Sequence, residues 1–330
     1  MVVISLAVLV MVVGIPGCER NLNAGTDTPH GPLTVDERNP VIISNDGWSD
    51  NWGPEYTVLL ANSGGPELAG IIVSASKYWE DLNANLTGWN NFVAAARDGG
   101  LRGVPDVTAS ASNPLAAPVD GQIESTVANH SAGAKLIVEL SNSLSLPWRP
   151  VVVLAATRLT DIADAYLMDR GVVDRVVVVA SLGSLSGAKG LMTGPNGDLD
   201  PWADWIVAQR FKYIQVSTVY DQLQDVTTDD LPDLPKNRFG DWMAAKQPKL
   251  SNLSSAGDQM AALAVVVPNF VATVVRSRSD ISAGFNSPVG QGPPLIPSSD
   301  GNAWLVTAIN SGLARAWLWP TLGDPHTFGR

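Results

Sequence analysis

Pro40-Val41-Ile42-Ile43-Ser44-Asn45-Asp46-Gly47-Trp48-Ser49-Asp50-Asn51 sets an apolar, β-branched run directly against a polar one. The first half, Val41–Ser44, predicts a strand apolar on both faces, as a parallel strand covered by helices should be. The second half crowds two carboxylates and two amides onto the rim after that strand. Such a cluster calls for a cation, a polyol or strong hydrogen bonds to offset its repulsion. The alternative is that Asp50 and Asn51 cap a helix over Trp52–Leu60.

Outward from this stretch the same kind of run recurs at Leu68–Ser74, Pro105–Ala109, Pro150–Ala155, Arg175–Ala180 and Tyr213–Ser217. Helical patterns separate the runs. Trp89–Arg97 stops at Gly99-Gly100. Leu159, Ile162, Ala163, Tyr166 and Leu167 share one face at helical spacing. Asp200-Pro201 reads as an N-cap followed by proline in the first turn. Ala256–Val266 and Asn302–Ala314 complete the set of expected helices. Alternating βα units predict an α/β fold: an open, mostly parallel central sheet with helices on both faces. Two long loops are expected, Thr218–Gly240 and Ser279–Gly301.

The chain has 330 residues with net charge −11, and 45% of them are hydrophobic against 16% charged. That is enough apolar material for a large core. An acidic chain without a Lys/Arg cluster is unsuited to phosphate backbones, so nucleic acid is excluded as a partner. One cysteine precludes an intrachain disulfide and a Cys-based zinc site, and the three histidines lie far apart in sequence.

Met1–Gly17 carries no charge and is too short to span a bilayer comfortably, so it reads as a signal peptide. It runs through Ile15-Pro16-Gly17 into Cys18, which resembles a bacterial lipoprotein cleavage box. On that reading Cys18 is lipidated and residues 18–39 tether a domain spanning residues 40–330. The protein would be an extracytoplasmic, membrane-anchored bacterial lipoprotein that meets the membrane through its anchor only. A plain signal peptide or a single anchor helix with an incidental cysteine is the other reading.

Several segments, in order, resemble the inosine–uridine-preferring nucleoside hydrolases. They are the opening strand with Asp46-Gly47-Trp48-Ser49-Asp50-Asn51, then Leu68–Val73, Pro150–Ala155 with Leu159-Thr160-Asp161-Ile162-Ala163, Asn196–Pro201, and Ala256-Gly257-Asp258-Gln259-Met260-Ala261. The Asp-Gly wording of the loop and Ser131–Ile137 look more like the family's secreted, sugar-binding branch. The resemblance implies that Asp46 is a calcium ligand and the base for an attacking water. It implies that Asn51, Asp258 and the backbone carbonyl near Ala156 complete the calcium site. Asp50 and Asn196 would bind ribose hydroxyls, Lys77 stands where the family has a sugar-contacting asparagine, and Trp48 would offer a flat face to a sugar ring. The implied ligand is a small nucleoside or sugar, and homo-oligomerisation is compatible with the resemblance. Ser44, Asn51, Gly194 and Gly257 depart from the family pattern, Gly257 at its leaving-group histidine. Two functions follow: calcium-dependent cleavage of an N-glycosidic bond, or carbohydrate or nucleoside binding without catalysis on a retained fold. Trp48, Trp52, Trp79 and Trp89 are either a sugar platform or packing residues.

Overall fold

A computed structural model describes residues 33–47, 53–76, 79–181, 185–186, 191–192, 200–216, 233–245, 258–279, 295–324 and 326. The quoted stretch forms strand β1 (Val41–Asn45), buried throughout, and leads to helix α1 (Gly53–Asn62). Strand β2 (Leu68–Val73), helix α2 (Leu82–Asp98) and strand β3 (Val107–Ala109) follow. Asp81 caps α2 by accepting from the Asn83 and Ala84 N–H groups, and Gly100 ends it at φ +97°. Then come α3 (Ala132–Leu144), β4 (Val151–Ala156), α4 (Thr160–Met168) and β5 (Val176–Ala180). The short pair β6 (Leu185–Ser186) and β7 (Leu191–Met192) precedes α5 (Pro201–Arg210) and β8 (Lys212–Gln215). Asp200 caps α5 with proline in its first turn, as the sequence predicts. The last elements are α6 (Arg238–Ala244), α7 (Asp258–Val266), β9 (Val271–Ser279), β10 (Leu295–Pro297), β11 (Ala303–Ile309) and α8 (Ser311–Gly323).

Among the described residues the main sheet has nine strands in the order β10-β9-β11-β8-β5-β4-β1-β2-β3. It is parallel from β3 across to β11; β9 alone runs against the other strands, and β10, antiparallel to β9, points the same way as the rest. Successive residues of the central strands feed opposite faces. Ile43, Leu154 and Val179 pack with the face that includes α1, α2 and α7, and Ile42, Val153 and Val178 with that of α3, α4 and α5. The apolar-throughout wording of these strands follows from that double burial. The chain leaves β1 toward β2 and β3, then returns to the other side of β1 as β4. The sheet's switch point therefore lies between β1 and β4, where open α/β sheets bind ligands outside the strands' carboxyl ends.

Three expectations need correction. Asn302–Ala314 is not one helix: Ala303–Ile309 is a strand, and α8 starts only at Ser311. Trp304, Val306, Thr307 and Ile309 favour a pleated surface, and pairing with β8 and β9 decides the state. The loop expected over Ser279–Gly301 contains β10, and the start of α6 lies within the one expected over Thr218–Gly240. Residues 33–39 pack rather than tether: Leu33 and Val35 join the core, and Asn39 Nδ2 donates to the Pro150 carbonyl at 2.7 Å. No helix among the described residues is long and apolar enough to cross a membrane.

Candidate functional site at the carboxyl ends of β1 and β4

Asn45 ends β1 in register with Ala156 on β4 and Val73 on β2, so the residues that follow these three strands share one rim. Asn45 Nδ2 donates to Asp258 Oδ2 at 2.6 Å across 213 residues of sequence. This bond ties the end of β1 to the first residue of α7. The amide cannot be turned round, because its oxygen would then face a carboxylate. At Gly53 a Cβ would fall 2.5 Å from Asp258 Cβ, so only glycine lets α1 begin against α7.

Asp46 is buried beside Asn45. Its Oδ1 accepts from the Gly47 N–H at 2.5 Å, and Trp89 Nε1 donates to its backbone carbonyl at 3.1 Å. The Trp79 ring lies over Gly47, where any Cβ would meet it at 2.3 Å. Burial pushes the Asp46 carboxyl up to about 6, opposed by the Ser76 hydroxyl and the Gly47 N–H. Asp46 Oδ2 and Asn45 Oδ1 are buried and have no hydrogen-bond partner among the described residues. Leaving a buried acceptor unpaired costs about 1–3 kcal/mol. Both are hard oxygens, the kind of donor calcium takes, and the Asp258 carboxylate bonded to Asn45 is another. No three His, Cys, Asp or Glu side chains gather as a metal cluster among the described residues.

Of the residues implied by the resemblance, Asp46, Asp258 and Ala156 lie at this rim. Trp48, Asp50, Asn51, Lys77, Asn196 and Cys18 lie outside the described residues. Trp89 is a packing residue rather than part of a sugar platform, being fully buried edge-on against Phe92 with centroids 5.3 Å apart.

Sequence reading missed Asn45 as an individual donor and missed Arg158 altogether. Arg158 Nε donates to Ser74 Oγ at 3.0 Å, and its Nη2 bonds the Ala111 carbonyl, joining the rims of β4, β2 and β3. Burial lowers its pKa, and the carboxylates of Asp161 and Asp200 raise it again. Those acids are themselves raised by burial and held by donors: Ser131 Oγ at 2.7 Å on Asp161, Thr160 Oγ1 at 2.6 Å on Asp200. The signal was present, since Arg158 is the only charge between Pro150 and Asp161.

The raised pKa of Asp46 gives a testable pH dependence. Between the unfolded value near 3.8 and the folded value of about 6, the unfolded chain ionises this group while the folded chain does not. The group's contribution to stability is therefore present below 3.8 and lost as pH rises through about 6. Urea unfolding without calcium should show wild type losing stability relative to Asp46→Asn across that window. Parallel pH profiles would refute the shift.

The fold is similar to that of solved nucleoside hydrolases. A plant nucleoside hydrolase matches with TM-score 0.61 at 13% identity, over 87% of this chain and 99% of that one. A purine-preferring ribonucleoside hydrolase from Gardnerella vaginalis matches with TM-score 0.58 at 15% identity, over 87% and 99%. A nucleoside hydrolase-related hypothetical protein from Saccharophagus degradans, associated with carbohydrate metabolism, matches with TM-score 0.52 at 14% identity, over 89% and 72%. No protein-family model and no curated protein matches the sequence. The chain has the nucleoside hydrolase fold, and fold alone does not fix chemistry.

Proposed function

We propose that this chain hydrolyses an N-glycosidic bond of the nucleoside type, outside the cytoplasm, with Asp46 as the general base. The observation that carries the reading is the Asp46 carboxylate, buried at the switch point with one oxygen unpartnered and its neighbour Asn45 bonded to Asp258. Asp46, Asp258, the Ala156 carbonyl and Asn51 would hold calcium. The ion, when bound, supplies a water of lowered pKa. Asp46 would orient the attacking water and take its proton as a bond forms between the water oxygen and the anomeric carbon. The C–N bond breaks, its electron pair leaves with the nucleobase, which takes a proton from solvent, and the proton held by Asp46 is returned to solvent. The carboxylates favour the positive charge that develops on the sugar. Asp50, Asn196, Lys77 and Trp48 would contact the sugar. Cys18 would carry the lipid that anchors the mature protein.

Asn51 and Gly257 favour a second reading, binding of a carbohydrate or nucleoside without turnover, since one removes a charge and the other an acid from the family pattern. A calcium-dependent hydrolysis assay across purine and pyrimidine nucleosides separates the two. Release of base that stops with chelator supports the hydrolase. Saturable ligand binding with no release supports the binding protein.

A further inference from the structure

The amino-terminal end of the sheet, opposite the candidate site, has its own chemistry. α3 and β4 are joined by a tight turn closed between Leu146 and Arg149, the Leu146 N–H donating at 3.0 Å and the Arg149 N–H at 2.9 Å. Its tip is Leu146-Pro147-Trp148, with Leu146 41% and Trp148 75% exposed. An indole held out in water on a short, hydrogen-bonded turn gains nothing for folding. Cations lie along this end of the sheet. Arg149 belongs to the turn, and Arg175 immediately precedes β5, in register with β4. Lys212 opens β8, while Arg276 and Arg278 lie where antiparallel β9 reaches the same end, Ser277 pairing with Ala303. Lys212 and Arg276 approach the ring of Trp304 at 5.8 and 5.6 Å from its centroid. The acids at this end are Asp169, paired with Arg175, Asp174 beside it, Asp300 against Arg276 and Arg278, Asp36, paired with Arg38, Glu37 ahead of β1 and Glu67 ahead of β2.

The N-terminal segment reaches the fold at this end too. Pro40 leads into β1, and Asn39 is bonded to Pro150, two residues from Trp148. The 32 residues ahead of the described chain include the apolar run Met1–Gly17 and Cys18.

We propose that the Leu146-Pro147-Trp148 tip, with the arginines along this end of the sheet, docks on an anionic phospholipid bilayer, holding the candidate site away from the membrane. Tryptophan and leucine settle at the headgroup level, and arginines beside them meet the lipid phosphates. The proposal shares the anchored location of the proposed function but not its chemistry, and its readout is independent of turnover.

The test places a polarity-sensitive thiol probe on the full chain carrying Trp148→Cys, or Ser112→Cys near the opposite end. The unsubstituted chain serves as the blank for Cys18. Each is mixed with vesicles containing phosphatidylglycerol, and with vesicles of phosphatidylcholine alone. The expected result is a blue shift of the probe at 148, with quenching by nitroxide-labelled lipid, and neither at 112. Arg276→Gln with Arg278→Gln should weaken docking on anionic vesicles by up to about 25-fold, since each cation near an anionic surface contributes a factor of about five. Water-like emission at 148 on vesicle-bound protein, equal shifts at both positions, or no association with vesicles overturns the proposal. So does a concentration-dependent shift without vesicles, which would assign the tip to a second copy of the chain.

Discussion

Asp46→Asn should reduce hydrolysis by at least about 10²–10⁴-fold, the usual loss with a general base, while leaving the fold intact. The substitution is nearly isosteric, and the Gly47 N–H keeps an acceptor if the amide oxygen takes the place of Oδ1. An amide cannot take a proton from water, and it is a weaker donor to a hard cation than a carboxylate. Near neutral pH and without calcium the variant should be more stable than wild type, because it removes a buried charge that desolvation disfavours. Activity and stability should thus move in opposite directions, which simple misfolding cannot produce. The measurement is released base or free sugar over time for both proteins, with and without calcium, beside their urea midpoints. Equal rates in the two proteins would end the assignment of Asp46 as base.

Trp89→Ala should cost about 3–5 kcal/mol of stability, the range for truncating a buried large aromatic, and lower Tm by roughly 10 °C. Trp89 is fully buried and packs edge-on against Phe92, which in turn meets Phe239 and Trp242 at 5.5 and 5.2 Å. The variant therefore opens a cavity inside the aromatic layer between α2 and α6. Its indole N–H also holds the Asp46 carbonyl. Trp89→Phe separates the two roles: it keeps most of the apolar area but leaves that carbonyl unpaired, at about 1–3 kcal/mol. Thermal unfolding read beside turnover should show Trp89→Phe affecting turnover more than its Tm implies. A phenylalanine variant with unchanged activity would make Trp89 a packing residue only.

The central parallel strands were legible because double burial makes them apolar throughout, as in Val151–Ala156 and Val176–Ala180. The caps at Asp200 and the stop at Gly99-Gly100 were legible because each satisfies local backbone groups. The carboxyl-side edge was not. β9 reads Val-Ala-Thr-Val-Val-Arg-Ser-Arg-Ser, with arginines and serines toward its end, and β11 follows helix-compatible spacing closely enough to mislead. Both depend on pairing with strands remote in sequence. In the site, Asp46 was legible from its position after β1. The Asn45–Asp258 bond was not, since it joins residues 213 apart, and neither was the placement of Arg158 between two buried acids.

The described sheet ends on both sides in three-residue strands, β3 and β10, and β10 closes with Pro297. A three-residue edge offers few free donors and acceptors, and proline removes one of them. Another strand has little to add itself to at either margin. Accidental polymerisation of this chain by strand addition is thereby discouraged. Any deliberate dimer would have to be built through helices or loops, and its contacts would be side-chain contacts, open to change without disturbing the sheet.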